Sequence, residues 1–143
     1  MNKVLFICVH NSARSQMAEA YLNHLCPNHY VAESAGLEPG QLNPLVVKVM
    51  VEEGIDISGK TTQSAYDLAK QRRSFDHVIA VCDKASGERC PVFPGLSKRH
   101  QWNFPDPSAV AGPEEDQLAQ IRIIRDSIRS RIESWCKEVC KSA

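Results

Sequence analysis

KVLFICVHNSARS, residues 3–15, decides the fold. Its first half, Lys3 to Val9, is a continuous apolar run, as expected of a strand buried on both faces. Its second half turns polar at His10, Asn11 and Ser12 and runs into QMAEAYLNHLC, a helix-forming segment with an apolar face through Met17, Tyr21 and Leu25. Such a strand–loop–helix junction aims backbone N–H groups and the positive end of a helix at one spot.

Outward from that junction, strands and helices alternate. Pro27 and Asn28 stop the first helix, and Tyr30 to Ala35 reads as a short second strand closed by Gly36. Asn43 and Pro44 open a second helix carrying Leu45, Val46, Val49 and Met50, with Gly54 at its end. Ile55 to Ile57 reads as an extended stub, and Thr62 or Ser64 can cap a short helix through Leu68. FDHVIAVC, Phe75 to Cys82, is the strongest later strand, and Asp83 to Gln101 reads as a long polar loop. A final helix begins at Pro113 with Glu114, Glu115 and Asp116 in its first turn. Its buried stripe runs through Leu118, Ile121, Ile124, Ile128, Ile132, Trp135 and Val139, with Arg122, Arg125 and Arg129 outside it. The alternation predicts an α/β fold, a small parallel sheet with helices on its faces, in a single domain over 1–143. Ligands of such sheets bind beyond the carboxyl ends of the strands.

The chain has 17 Lys+Arg against 17 Asp+Glu, a balance that argues against a nucleic-acid partner or an anionic membrane surface. No apolar run approaches a membrane span, and MNKVLFICVHNS turns polar too soon for a signal peptide, so the expected location is cytoplasmic. Six cysteines, at 8, 26, 82, 90, 136 and 140, are many for such a chain and point to redox or nucleophilic chemistry. Metal is the weakest option, because no Cys-x2-Cys pair occurs and the histidines fall at no ligand spacing.

The candidate site is the loop Cys8, Val9, His10, Asn11, Ser12, Ala13, Arg14, Ser15. A tetrahedral oxyanion suits its inward N–H groups, and the same field favours the Cys8 thiolate. Arg14 can clamp the anion bidentately, Ser15 can donate to the sulfur, and Asn11 can brace the loop. Asp106 lies between Pro105 and Pro107, which stiffen its loop; on its own the Asp-Pro pair reads as a turn. Cys82 ends a strand and Cys90 follows across the polar DKASGER; spacing alone divides evenly between a thiol pair and two bystanders. Cys136 and Cys140, near the end of the last helix, and Cys26, at the end of the first, read as core or frayed-end residues.

CVHNSARSQMAEA resembles the anion-binding loop of the low-molecular-weight protein tyrosine phosphatase superfamily, and NSARSQMAE most resembles its arsenate reductase branch. SAG at 34–36, GIDIS at 54–58 and WNFPDP at 102–107 extend the resemblance from residue 3 to about 135. It implies a four-stranded parallel sheet with helices on both faces. It implies Cys8 as nucleophile, Arg14 on the oxyanion and Asp106 as general acid. It further implies arsenate as substrate, with phosphate or sulfate as analogues, and a relay from Cys8 through Cys82 to Cys90 that thioredoxin regenerates. No tightly bound cofactor is implied, although some relatives hold a potassium ion behind the loop, for which Asn11, Glu19 and Ser34 match three positions. A monomer is expected. Two alternatives stay open: a phosphatase that uses Cys8, Arg14 and Asp106 alone, and a reductase coupled to glutathione and glutaredoxin. The chain departs from the family pattern at Ala13, where many relatives carry Cys, and at His10, where Gly is common. Its Cys82–Cys90 spacing is also slightly long. The sequence leaves open whether His10 tunes the thiolate or faces solvent.

Overall fold

A computed structural model describes residues 2–81 and 97–142. Its elements follow the predicted alternation: β1 Asn2–Cys8, α1 Arg14–Leu25, β2 Tyr30–Gly36, α2 Pro44–Val51, α3 Ala65–Lys70, β3 His77–Ala80, β4 Lys98–Gln101 and α4 Glu114–Ser142. A 3-10 turn at Pro107–Ala109 precedes α4. The four strands are parallel in the order β2-β1-β3-β4, so the anion-loop strand is central.

The two-faced burial of β1 follows from its unbroken apolar run. Val4, Phe6 and Cys8 face a core shared with α1, α2 and α4, where Met17, Tyr21, Val49, Met50, Ile121, Ile128 and Ile132 are buried. Leu5 and Ile7 face the opposite layer, with Ala65, Leu68, Phe75 and Val78. Strand alternation places these residues by turns on opposite faces. Burying side chains of this size contributes roughly 1.5–3 kcal/mol each, so the strand is held from both sides. Local signals set the ends of the helices. Asn43 Oδ1 accepts the Leu45 N–H at 2.9 Å with Pro44 at the first position of α2, and Ser64 caps α3.

Three expectations are corrected. The last four residues of the predicted 83–101 loop form β4, which pairs with β3 from His77↔Lys98 to Ala80↔Gln101. Its KRHQ sequence is an edge strand with charge facing solvent, so it shows no apolar pattern. The β3 strand is shorter than predicted: Phe75 precedes it, and Cys82 lies outside the described residues. Residues 55–57 form no strand.

The α4 stripe is buried as predicted at Ile121, Ile124, Ile128, Ile132 and Trp135. Arg125, assigned to the outer face, is instead buried. Its Nη1 donates to the Val49 carbonyl at 2.9 Å and to Glu52 Oε1 at 2.8 Å, and Arg122 forks onto the same carboxylate. The C-terminal end of α2 offers carbonyls and acids that draw the guanidinium inward. These partners hold the Glu52 carboxyl down to about 2.

Cys26 and Cys136 are buried in the core as expected but are not single thiols, and the Cys140 side chain lies outside the described residues. Cys26 and Cys136 form a disulfide across a sequence separation of 110, joining the end of α1 to α4, with their Cα atoms 6.1 Å apart.

Candidate active site

The loop between β1 and α1 is shaped by where its carbonyls go. The Cys8 carbonyl accepts from Leu37 N at 3.1 Å, that of Val9 from Glu38 N at 2.7 Å, that of His10 from Gly40 N at 3.0 Å and that of Ser12 from Asn43 N at 2.9 Å. On the inner side of the loop, Asn11 N points at the Cys8 sulfur. Backbone polar groups are rarely left unpaired, and here the segment 37–43 draws the carbonyls of the loop outward.

This pairing demands close approach, and Gly36 permits it. A β-carbon on Gly36 would lie 2.8 Å from Asn11 N and Val9 O and 2.9 Å from the His10 carbonyl carbon. Only glycine fits there, which gives the SAG motif its physical reason. Asn11 supplies the sharp bend, with φ of 56° in the left-handed region that Asn tolerates.

Cys8 is buried, and its sulfur has two polar neighbours. Asn11 N donates to Sγ at 3.2 Å, and Ser15 Oγ lies 2.9 Å away. Ser15 Oγ also accepts from Asn11 Nδ2 at 2.8 Å, so Asn11, Ser15 and the sulfur form one buried network. Asn11 Oδ1 in turn accepts from Gln63 N at 3.0 Å and Gln16 Nε2 at 3.3 Å, which fixes the amide.

Arg14 is buried at the start of α1, and its Nη1 donates to the Phe104 carbonyl at 3.1 Å. That bond ties the loop to the 102–107 segment. Asp106 Oδ1 accepts from Ser108 N at 2.9 Å and caps the 3-10 turn. Val9, His10, Arg14, Asn103, Phe104, Pro105 and Asp106 line one open cavity of about 350 Å³. Of the predicted site residues, Val9, His10, Arg14 and Asp106 share this cavity, Cys8, Asn11 and Ser15 are joined by hydrogen bonds, and Ser12 lines a separate depression with Asn43 and Ser108. Cys82 and Cys90 lie outside the described residues.

The potassium triad behind the loop is otherwise engaged. Glu19 is buried; its Oε1 accepts from Ser34 Oγ at 3.1 Å, and its Oε2 is ion-paired with the Lys60 ammonium. Burial holds the Lys60 ammonium pKa below the usual lysine value. Asn11 Oδ1 is taken by its two amide donors. A lysine charge sits where a bare cation would have to bind, so these residues as arranged do not fit potassium. Among the described residues no group of three or more His, Cys, Asp or Glu is placed to hold a metal ion. Sequence reasoning missed Lys60, Gln16, Gln63 and the 37–43 segment. Of these, only the segment had a signal, its adjacency to SAG.

These features can be set beside known proteins. Residues 3–143 match the family described as low molecular weight phosphotyrosine protein phosphatase. The chain belongs to this family. An arsenate reductase of Shouchella clausii is 37% identical over 135 residues, 94% of each chain. One from Bacillus subtilis is 37% identical over 138 residues, 95% of this chain and 96% of the relative. A solved structure of a thioredoxin-dependent arsenate reductase from Corynebacterium glutamicum superposes with a TM-score of 0.73 at 30% identity. It covers all of this chain, which spans 63% of that longer one.

Proposed function

We propose that the protein is a thioredoxin-coupled arsenate reductase, and that the sulfur of Cys8 carries the reaction. The supporting observation is that Arg14 lines one cavity with Asp106, together with Val9 and His10, the two residues that follow Cys8, whose Sγ contacts Ser15 Oγ and Asn11 N. Relatives named arsenate reductase over nearly the whole chain favour arsenate over an organic phosphate as substrate.

Arsenate settles on the loop N–H groups of residues 9–15 with Arg14 on its oxygens. The Cys8 thiolate attacks arsenic, and Asp106 gives its proton to the departing hydroxyl, which leaves as water. The Cys82 thiolate attacks the Cys8 sulfur. The electron pair of the S–As bond passes to arsenic, arsenite leaves, and a Cys8–Cys82 disulfide forms. Cys90 then attacks Cys82 and frees Cys8. Thioredoxin reduces the Cys82–Cys90 disulfide and supplies the two electrons that arsenic received. Chain connectivity supports this order: Val81, the residue before Cys82, donates its N–H to the Ile7 carbonyl at 2.9 Å, next to Cys8. The reading includes a single cytoplasmic domain acting as a monomer. Among the described residues, no helix is long and apolar enough to cross a membrane.

The test is arsenate-dependent NADPH oxidation with thioredoxin and thioredoxin reductase. Wild type is expected to turn over, and Cys8→Ser and Cys82→Ser to be inactive. Turnover by Cys82→Ser would remove the relay. Turnover only with glutathione and glutaredoxin would move the donor. Hydrolysis of p-nitrophenyl phosphate without any arsenate reduction would leave a phosphatase.

A further inference from the structure

His10 is a loop residue whose side chain the proposed reaction does not use, although it stands in the cavity wall with Arg14 and Asp106. It is exposed at the rim, yet it is held at three points. Its carbonyl accepts from Gly40 N at 3.0 Å. Its β-carbon seats over Gly40, where an added β-carbon would lie 3.6 Å away. Its Nδ1 lies 2.9 Å from the Glu38 carbonyl oxygen. A carbonyl oxygen only accepts, so Nδ1 is the donor, and in that tautomer Nε2 presents the lone pair. The side chain is therefore a fixed wall with one acceptor, not a free surface group.

We propose that His10 is a specificity-determining residue that selects a hydroxyl-bearing inorganic oxyanion over an organic phosphomonoester. Two properties of the wall act in the same direction. Inorganic arsenate and phosphate keep at least one hydroxyl at neutral pH, and Nε2 is an acceptor for it. An aryl phosphate dianion has no hydroxyl, and its ring must leave the cavity past the rim where the imidazole stands. A site that hydrogen-bonds a substrate hydroxyl discriminates strongly against an analogue that lacks it. Cys8, Arg14 and Asp106 are common to both chemistries, so selection must come from elsewhere in the wall.

The inference rests on an oxyanion binding at Cys8 but not on arsenate being reduced. Its test therefore measures binding as well as turnover. The inhibition constant of inorganic phosphate and kcat/KM for p-nitrophenyl phosphate are compared in wild type, His10→Gly and His10→Phe, with arsenate reduction measured alongside. His10→Gly opens the wall and removes the acceptor. It is expected to raise kcat/KM for the aryl ester by about tenfold and to weaken phosphate by about tenfold. His10→Phe keeps the wall without the acceptor, so phosphate weakens while the aryl ester stays excluded. The Phe variant retains a side chain on Gly40 and controls for loss of loop structure. Parallel changes for both anions in His10→Gly, or wild-type selectivity in both variants, would overturn the proposal. Failure of arsenate reduction in the wild type would strike the proposed function and leave the phosphate and aryl ester comparison standing.

Discussion

The two ends of the sheet treat cysteine in opposite ways. At the carboxyl end, Cys8 is a free thiol surrounded by Asn11 N, Ser15 Oγ and the amide braces of Gln16 and Gln63. At the amino end, where α1 hands over to β2, Cys26 is bonded to Cys136. From there a run of ring contacts through Tyr30, Trp135, His77 and His100, with centroids 5.0–6.5 Å apart, extends to Trp102 beyond the carboxyl end of β4. Both kinds of cysteine are buried. Burial alone therefore does not decide reactivity; hydrogen-bond donors aimed at the sulfur do. One end sets polar groups around a sulfur, and the other packs aromatic surface beside a crosslink.

The sharpest way to break the contrast at the carboxyl end is Arg14→Lys. A lysine keeps the charge but loses the planar fork and the bond to the Phe104 carbonyl. Steady-state kinetics should show kcat/KM for arsenate falling by roughly 10²–10³-fold. A loss under threefold would mean that charge alone suffices.

The amino end should respond in stability instead. In the chain-entropy picture, a crosslink across a separation of 110 residues restrains the unfolded chain by about 4–5 kcal/mol. The Cys26→Ala/Cys136→Ala double variant is expected to lose several kcal/mol in urea unfolding and to keep arsenate kcat/KM within about twofold of wild type. An inactive but stable double variant would erase the distinction between the two ends.

Gly36→Ala probes how tightly the loop is zipped. The added carbon meets backbone atoms that cannot rotate away. Overpacking of this kind costs about 1–3 kcal/mol, and the displaced loop should weaken phosphate binding. Thermal unfolding and phosphate inhibition read the two effects together, and unchanged phosphate affinity would show that the 36–40 segment does not set the cradle.

The smallest effect is a pH dependence at the amino end. Burial, helped by the Lys98 charge, lowers the pKa of His77. Burial, then His77, Arg131 and Lys98, lowers that of His100. Their nitrogens share a contact at 3.0 Å. Folded values below the unfolded value mean that the unfolded chain binds protons first on acidification. Their contribution is therefore complete above about pH 6.5 and is lost as pH falls through the folded values. The urea midpoint should drop from pH 7 to pH 5 in wild type and drop less in His77→Gln/His100→Gln. Equal slopes would exclude the pair as the source.

The same contrast separates what was legible in the sequence from what was not. The β1 run and the anion loop were readable because an unbroken apolar strand and a Cys-to-Arg turn constrain local geometry. The stripe of α4 was readable from its spacing. KRHQ was not, because an edge strand with exposed side chains carries no periodic signal. Arg125 was misplaced because its partners Val49 and Glu52 lie more than 70 residues away in the chain. Cys26 and Cys136 read as core or frayed-end residues and not as a pair for the same reason: two helix ends give no hint of their distance. Lys60 reaches Glu19 from a loop without regular structure, so nothing in its neighbourhood announced an ion pair that displaces a cation.

The central claim is that electrons reach arsenate from the carboxyl end of the sheet and not from the crosslink at the other. Disulfide mapping tests it most directly. Protein reduced by the thioredoxin system, freed of reductant and given one equivalent of arsenate, is digested and analysed by mass spectrometry. The account predicts one new disulfide, Cys82–Cys90, formed in step with one arsenite, with the state of Cys26 and Cys136 unchanged by arsenate. In Cys90→Ser the new bond should instead be Cys8–Cys82. Arsenite released with oxidation of Cys26 and Cys136, and none at Cys82, would contradict it.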